Sequence, residues 1–453
     1  MSKATFGAEL RRLREERGLS LKKFAKLVHY DPGYLSKIEN GLKPPTGAVA
    51  IACDQALDTG GQLALVAAEY ADSHEHRLRP GGPPASYPIA LWEPDEVVGH
   101  ALELTGFDLL SRREAVTDGT AILVGTLLVD PLRSWLFPLA SVSGRELRGL
   151  SADEVAAMEA GFRYLRTWAR QSGGGMARNT VAAQLNELSA RLKSVRSGLL
   201  RDRAFLVGAQ LARLAASLAW DADSPPRAQR YYVLAVEMAH VAHNAGYAAL
   251  ALADLARQSL DLGNPHDALE LVQLAQYGSR HSSEARLRAF LFTRESWAFA
   301  QLNRSHDFRR AVAHAEELFD ESNAASCPTW LTGFDQAELF GVLGARYRDL
   351  ALASGDPRHA HVAERYIKRA LSVRAAHQIR NQTLDLIGLA RTHLITAEVE
   401  QGCLVARQAV EINNGALQGR PKRKLQDFCR ELAPYQKTTA SRDFIEYLHD
   451  LPY

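Results

Sequence analysis

The chain of 453 residues carries 54 lysines and arginines and 52 aspartates and glutamates, which leaves a formal net charge of only +2. Its length predicts several domains or an array of repeats, because a single core rarely grows beyond about 250–300 residues. Abundant Ala, Leu, Arg and Glu with only 8% aromatic residues favour an all-α fold. No secretory signal and no apolar stretch near the roughly 20 residues of a membrane helix is found, so we expect a cytoplasmic protein without a membrane partner.

The charge is distributed unevenly along the chain. Residues 1–45 contain ten lysines and arginines and only five aspartates and glutamates, so the remainder is slightly acidic. A basic N-terminal segment on an acidic body is typical of a protein whose N-terminal end contacts a polyanion.

Three short helices are predicted in this basic segment. Apolar residues at helical spacing predict the first over residues 5–17, where a glycine ends it. Ser20 is the expected N-cap of a second helix over residues 21–28, and a third begins at Pro32, where a missing N–H costs nothing. A fourth helix, over residues 49–57, is expected to close a small core.

The second and third helices are separated by three residues, which matches the helix-turn-helix motif. Residues 19–25, LSLKKFA, followed by residues 34–41, YLSKIENG, resemble the Xre or lambda-repressor-type helix-turn-helix family. The resemblance implies a DNA-binding domain, which we expect over residues 1–71. Double-stranded DNA is then the expected partner, and a homodimer the expected binding species.

The resemblance also implies which residues contact DNA. In that family the start and middle of the third helix face base edges, where this chain has Pro32, Gly33, Ser36 and Lys37. Pro32 and Gly33 offer no side-chain hydrogen bond, so Lys37, which can donate to guanine O6 or N7, is the expected principal base contact and Ser36 the second. The residues expected on phosphates flank this surface. They are Ser20, Lys22, Lys23, Lys26, Asn40 and Lys43.

By the same resemblance, Arg14 of the first helix pairs with Glu39 of the third. This ion pair is expected to be partly buried and to fix how the third helix is presented. Two alternatives stay open from the residues alone. The lysines can be an ordinary solvated helix face, or the domain can contact a protein partner, in which case the chain is a protein-interaction scaffold.

Residues 72–150 are predicted to connect the domains. Their first third is rich in Pro, Gly and His, which is typical of a linker. Between Asp95 and Leu150 the helical periodicity is weak, and only one or two short helices are expected, one of them near residues 134–139.

Residues 151–453 are predicted to form paired helices that repeat. A small residue, a larger one four positions later and a small one seven positions later recur five times, at intervals of 40, 40, 55 and 39 residues. This spacing is similar to that of the tetratricopeptide repeat, whose pairs stack into a superhelix with a concave groove. The long interval leaves room for an insertion near residues 321–330. A generic alanine-rich bundle is the alternative.

The repeat register predicts which side chains line the groove. The first helix of each pair supplies the concave surface, and projecting the register places Arg257, Trp297, Arg348 and Arg391 there. Arginines beside a tryptophan can hold a peptide's carbonyl groups or carboxylate while the ring packs against an apolar side chain. The alternative is that these residues form salt bridges within repeats and core aromatic contacts.

The sequence lacks the motifs of common enzymes. Phosphate-loop, His-Glu-x-x-His and Gly-x-Ser-x-Gly patterns are absent, and four scattered cysteines indicate neither a zinc site nor a disulfide framework. We therefore expect no catalytic activity, no metal and no cofactor.

The whole chain resembles actinobacterial regulators that join an Xre-type domain to a tetratricopeptide-like region. Residues 54–61, 109–115 and 231–235 carry this resemblance. It implies a transcriptional regulator of development or secondary metabolism whose repeats mediate dimerisation or sense a peptide, small-molecule or protein ligand.

Overall fold

The protein folds into two compact units, Met1–Tyr87 and Pro88–Tyr453. The computed structural model describes only part of each unit, and every regular element among the described residues is helical. The predicted boundaries at residues 71 and 150 stay predictions. The described residues are 6–28, 32–39, 53, 56–57, 59, 92–109, 122–136, 151–172, 174–192, 198–282, 284–323, 327–415, 417 and 419–450.

The first unit, called the N-terminal unit below, contains helices α1 (Phe6–Glu16), α2 (Leu21–Leu27) and α3 (Pro32–Glu39). Gly18 ends the first helix by adopting a φ of +64°, a conformation that glycine tolerates best. The Ser20 hydroxyl accepts a hydrogen bond from the Lys23 backbone N–H at 3.4 Å and so caps the second helix.

A small apolar core holds these helices together. Leu10, Phe24, Leu35 and Ile38 come from all three helices and are at most 1% exposed. The predicted fourth helix at residues 49–57 falls mostly outside the described residues. Two of its described members, Cys53 and Leu57, are fully buried in the same core.

The second unit begins with α4 (Pro94–Leu109), α5 (Thr126–Leu132) and a 3-10 turn, Arg133–Leu136. The first of these is longer than the weak periodicity predicted, and Val97, Ala101 and Leu104 are buried along one face of it. The turn overlaps the start of the helix predicted near residues 134–139, and residues 137–139 lie outside the described ones.

Most of the second unit consists of antiparallel helix pairs preceded and followed by further helices. Five pairs, called the helical stack below, pack against one another in chain order. Before them come α6 (Ala152–Ser172) and α7 (Gly174–Leu192). The pairs are α8 (Leu199–Asp221) with α9 (Pro225–Val241), α10 (Ala245–Asp261) with α11 (Pro265–Gly278), α12 (Ala285–Gln301) with α13 (Ser305–Glu321), α14 (Gln336–Ser354) with α15 (Pro357–Val373), and α16 (Ile379–Ile395) with α17 (Val399–Glu411). They are followed by α18 (Gly419–Leu432) and α19 (Thr439–His449).

The five predicted triplets all lie on the second helices of the pairs, and all their members are buried. Small residues are needed there because the helices approach closely. A Cβ added to Gly344 of α14 would stand 2.6 Å from Ile367 Cγ1 and 3.1 Å from the Ala363 carbonyl oxygen. The triplets are Ala228-Tyr232-Ala235, Ala268-Val272-Ala275, Phe308-Val312-Ala315, Ala363-Ile367-Ala370 and Gly402-Ala406-Ala409.

The 55-residue interval contains a long connection between α13 and α14. Trp330 of this connection packs its ring edge-on against Tyr247 of α10, with ring centroids 5.6 Å apart. The insertion therefore packs against the pair formed by α10 and α11, which comes earlier in the chain.

The first pair of the helical stack contacts both the last pair and the helix α18 that follows it. Arg423 of α18 donates to the carbonyl oxygen of Trp220 at 3.2 Å. Asp221, at the end of α8, also accepts a hydrogen bond from Arg380 of α16 at 3.4 Å. Helices about 200 positions apart in sequence are thus joined. Among the described helices, none is both long and apolar enough to cross a bilayer.

Candidate functional site

The N-terminal unit contains a buried ion pair between its first and third helices. Arg14 Nε and Nη2 donate to the two carboxylate oxygens of Glu39 at 2.7 and 2.9 Å. The side chains are only 9% and 5% exposed. Arg14 Nη1 also donates to the Leu19 carbonyl oxygen at 2.8 Å. One guanidinium group thus connects α1, the turn before α2, and α3.

The electrostatics of this pair favour the charged form of Arg14. The hydrogen bond that Arg14 donates to Glu39 raises the pKa of Arg14, against the opposing effect of burial. The sequence resemblance anticipated the two partners. The contact with Leu19 was not anticipated, because it depends on the left-handed turn at Gly18, which brings that carbonyl back towards α1.

The structure describes the side chains of only some of the residues expected to contact DNA. Lys22 and Lys23 are exposed at the start of α2, beside the capping residue Ser20. Ser36 is half-buried in the middle of α3. The backbone at Pro32, Gly33 and Lys37 is helical, and Lys26 lies within α2. Outside the described residues or side chains lie Asn40, Lys43 and the side chains of Lys26, Pro32 and Lys37.

A cavity of about 1440 Å³ lies within the second unit. Its walls come mainly from the first helices of the five pairs, together with residues of α6 and α18. All four residues that the repeat register placed on the concave surface line this cavity: Arg257, Trp297, Arg348 and Arg391.

The cavity lining has an excess of positive charge. Thirteen arginines and lysines line it, against seven aspartates and glutamates. The excess is large for a chain whose total net charge is +2. Such a concave basic surface attracts and retains anions.

Each predicted arginine of the cavity is also engaged by the protein. Arg257 donates to the Tyr232 hydroxyl at 3.1 Å, and Arg348 donates to Asp349 at 2.8 Å. Arg391 forms a two-point pair with Glu431, in which Nε donates at 2.9 Å. These side chains therefore line the cavity and form ion pairs or hydrogen bonds within it, and their binding of a ligand stays a prediction.

Trp297 is part of an aromatic and cationic stack. It is 6% exposed, and the guanidinium carbon of Arg346 stands 3.4 Å from its ring centroid. Arg346 also pairs with Asp349 at 3.0 Å. Asp349 thus serves two arginines, since Arg348 is bonded to its other oxygen. Burial opposes the charge of Asp349, but Arg348 and Arg346 together hold its pKa below the usual value.

Sequence reasoning missed two cavity arginines, Arg294 of α12 and Arg420 of α18. Neither forms an ion pair among the described residues, although the charge of Asp254 acts on Arg294 and that of Asp261 on Arg420. Arg294 lies over the ring of Phe290, with its guanidinium carbon 4.4 Å from the centroid. Burial lowers the pKa of both arginines. Arg294 lies one helical turn before Trp297, and this spacing was the signal available in the sequence.

Comparison with known proteins extends to the N-terminal unit only. A family model described as a helix-turn-helix domain matches residues 5–66. No curated protein and no solved structure matches the chain.

Proposed function

We propose that the protein is a sequence-specific, Xre-type transcriptional regulator whose helical stack controls DNA binding by its N-terminal unit. The helix-turn-helix domain at residues 5–66 indicates DNA binding. The observation that carries the proposal is the two-point Arg14–Glu39 pair, which holds the third helix of this domain in a fixed orientation.

Within this proposal the residues of the N-terminal unit have separate roles. Lys37 and Ser36 contact base edges and supply specificity, with Pro32 and Gly33 allowing close approach of the backbone. The phosphate contacts supply affinity that does not depend on sequence. They come from Ser20, Lys22, Lys23, Lys26, Asn40 and Lys43.

The helical stack has the regulatory role. Its tetratricopeptide-like pairs would support a homodimer and hold a ligand in the cavity that contains Arg257, Trp297, Arg348 and Arg391. The excess of positive charge in the cavity supports ligand binding. The proposal includes a cytoplasmic location. It includes neither a catalytic activity nor a cofactor.

Selection of bound DNA fragments by the full-length protein tests the proposal. Genomic fragments are incubated with the protein at about 0.15 M salt, recovered and sequenced, and the enrichment is compared with that of an Arg14→Met variant. We expect a recurrent sequence, arranged as half-sites about one helical turn apart if a homodimer binds. Enrichment without a recurrent sequence would contradict specific regulation. No enrichment at all would favour the protein-interaction scaffold.

A further inference from the structure

The cavity of the second unit contains several buried N–H groups without a hydrogen-bond partner among the described residues. Arg294, Arg348 and Arg391 each have one such nitrogen, and so does the indole of Trp297. These four side chains are at most 9% exposed. Buried polar groups are nearly always hydrogen-bonded, so a set of unpaired donors in one cavity requires an explanation.

The unpaired groups are almost all donors. Arg420 Nε is a fifth donor, and the one cavity-lining acceptor among the buried unpaired atoms of the described residues is Gln378 Oε1. Water satisfies donors and acceptors equally well. A set dominated by donors is better matched by an acceptor-rich ligand, and anionic oxygens are the strongest acceptors for guanidinium groups.

The charges of the cavity arginines are also incompletely neutralised. Arg346 and Arg348 share the single carboxylate of Asp349. Arg294 and Arg420 form no ion pair among the described residues, although the charge of Asp254 acts on Arg294 and that of Asp261 on Arg420. Burial is the main cause that lowers the pKa of Arg294 and of Arg346. Asp254 and Asp349 oppose this effect, and the charge of Arg420 adds to it, so these guanidinium groups are near enough to repel one another.

This arrangement is unfavourable in the free protein. A buried cation without a partner costs several kcal/mol unless a counter-charge is supplied. The lining has six more basic than acidic side chains, so one monovalent anion would leave most of the excess uncompensated. The volume of about 1440 Å³ exceeds the usual 300–1,000 Å³ of ligand sites and accommodates a small molecule with its hydration water.

We propose that this cavity is a binding site for a small polyanion that carries two or more phosphate or carboxylate groups. Arg294, Arg420 and the N–H group of Arg348 that makes no hydrogen bond hold its oxygens, while the Trp297 ring with its stacked Arg346 forms an apolar and cationic wall. The proposal deepens the proposed function, on which it depends for the effect of the anion on DNA binding. Anion binding itself is measured without DNA.

Calorimetric titration of the full-length protein tests the site. The probes are tripolyphosphate and citrate, with acetate as the monovalent reference, all at one ionic strength set with sodium chloride. We expect saturable binding of tripolyphosphate, citrate or both, and none of acetate. Tripolyphosphate carries more charge than citrate, so binding of citrate that is equally tight or tighter would identify carboxylate as the natural group. Saturable binding of tripolyphosphate alone would identify phosphate. Flat titrations with both polyanions would overturn the proposal.

Two variants separate the site from non-specific attraction. Arg294→Met and Arg420→Met each remove an unpaired cation and are expected to weaken polyanion binding at least about tenfold. Both variants should also raise the melting temperature of the ligand-free protein, because a buried repulsion is relieved. Arg358→Met is the matched control, since Arg358 is 87% exposed and does not line the cavity. Equal weakening in all three variants would mean a general charge effect and would also overturn the proposal.

The two proposals fail separately. A Lys37→Ala variant changes the N-terminal unit alone and should bind the polyanion as the wild type does. Polyanion binding without any sequence-specific DNA binding would overturn the proposed function and leave the anion site intact. Sequence-specific DNA binding without any polyanion binding would overturn the anion site and leave the proposed function intact.

Discussion

The Arg14–Glu39 pair is expected to be the most sensitive point of the N-terminal unit. Replacing Arg14 with Met keeps most of the side-chain volume but leaves the Glu39 carboxylate, 5% exposed, without its two donors. Removing one partner of a buried ion pair costs about 3–5 kcal/mol. Since whole domains are stable by about 5–15 kcal/mol, this loss is a large part of the total for so small a unit.

Hydrogen exchange read by mass spectrometry is the appropriate measurement, because it reports the opening free energy of α1–α3 within the full-length chain. We expect peptides from these helices to exchange about two to four orders of magnitude faster in Arg14→Met, and peptides of the helical stack to be unchanged. Arg11→Met is the control. Its pair with Glu15 is more than half exposed on both sides and should contribute little to stability, because solvent screens it.

A double variant, Arg14→Met with Glu39→Leu, distinguishes a buried unpaired charge from a general loss of packing. It should recover most of the protection, because no charge is left buried. We expect it to remain about 1 kcal/mol less stable than the wild type, since the Leu19 carbonyl has also lost its donor. Equal exchange in Arg14→Met and Arg11→Met, or no recovery in the double variant, would refute the reasoning.

Three further predictions concern DNA binding, pH and helix packing. Lys37→Ala should cost about 1–3 kcal/mol on the recurrent site and little on random DNA by fluorescence anisotropy, and equal losses would exclude Lys37 as a base contact. Burial and the nearby charge of His243 lower the pKa of His240 to about 4. Neutral His240 therefore contributes to the free energy of unfolding in full above pH 6.5, and this contribution is lost as the pH falls towards 4. His240→Phe should remove up to about 3 kcal/mol of this acid sensitivity in urea unfolding, whereas an unchanged slope between pH 7 and 4.5 would contradict the assignment. Gly344→Ala should destabilise the protein by about 1–3 kcal/mol, because its Cβ would overlap Ile367. Gly161→Ala is the control and should be neutral or stabilising, since no atom lies within 4 Å of the added Cβ. A shift of the melting temperature in the same direction for both variants would argue against this packing.

Local sequence signals predicted the first three helices of the N-terminal unit to within one or two residues. The glycine that ends α1, the serine that caps α2 and the proline that begins α3 each act within one turn, so their effect can be inferred without tertiary structure. The buried triplets of the second helices were predictable for a related reason. Close helix packing requires small residues, and their repetition is visible in sequence.

The electrostatic character of the cavity was not predictable in the same way. Register identified Arg257 and Arg391 because they hold equivalent positions on their helices. Arg420 belongs to α18, which lies outside the register of the five pairs. It lines the cavity because α18 contacts the end of α8, far earlier in the chain. Which arginines lack a carboxylate depends on helix rotation and on long-range contacts, neither of which a periodic pattern contains.

The helices in residues 95–150 were also underestimated. Sequence periodicity predicted one or two short helices in residues 95–150, but α4 has 16 residues. Its position is fixed by contacts far along the chain, such as the hydrogen bond from the Tyr231 hydroxyl to Asp108 at 2.8 Å. Tertiary contacts of this kind stabilise a helix whose own sequence pattern is weak.

The contact of Arg423 with Trp220 and Asp221 has a consequence for the order in which the protein is made. The matched helix-turn-helix region ends at residue 66, whereas the cavity lacks a wall until α18 has been synthesised. At about 5–20 residues per second, this interval is roughly 20–70 s. During that time the growing chain carries a complete DNA-binding domain without a complete cavity. Under the proposed function, a ligand can act on the protein only after translation has almost finished.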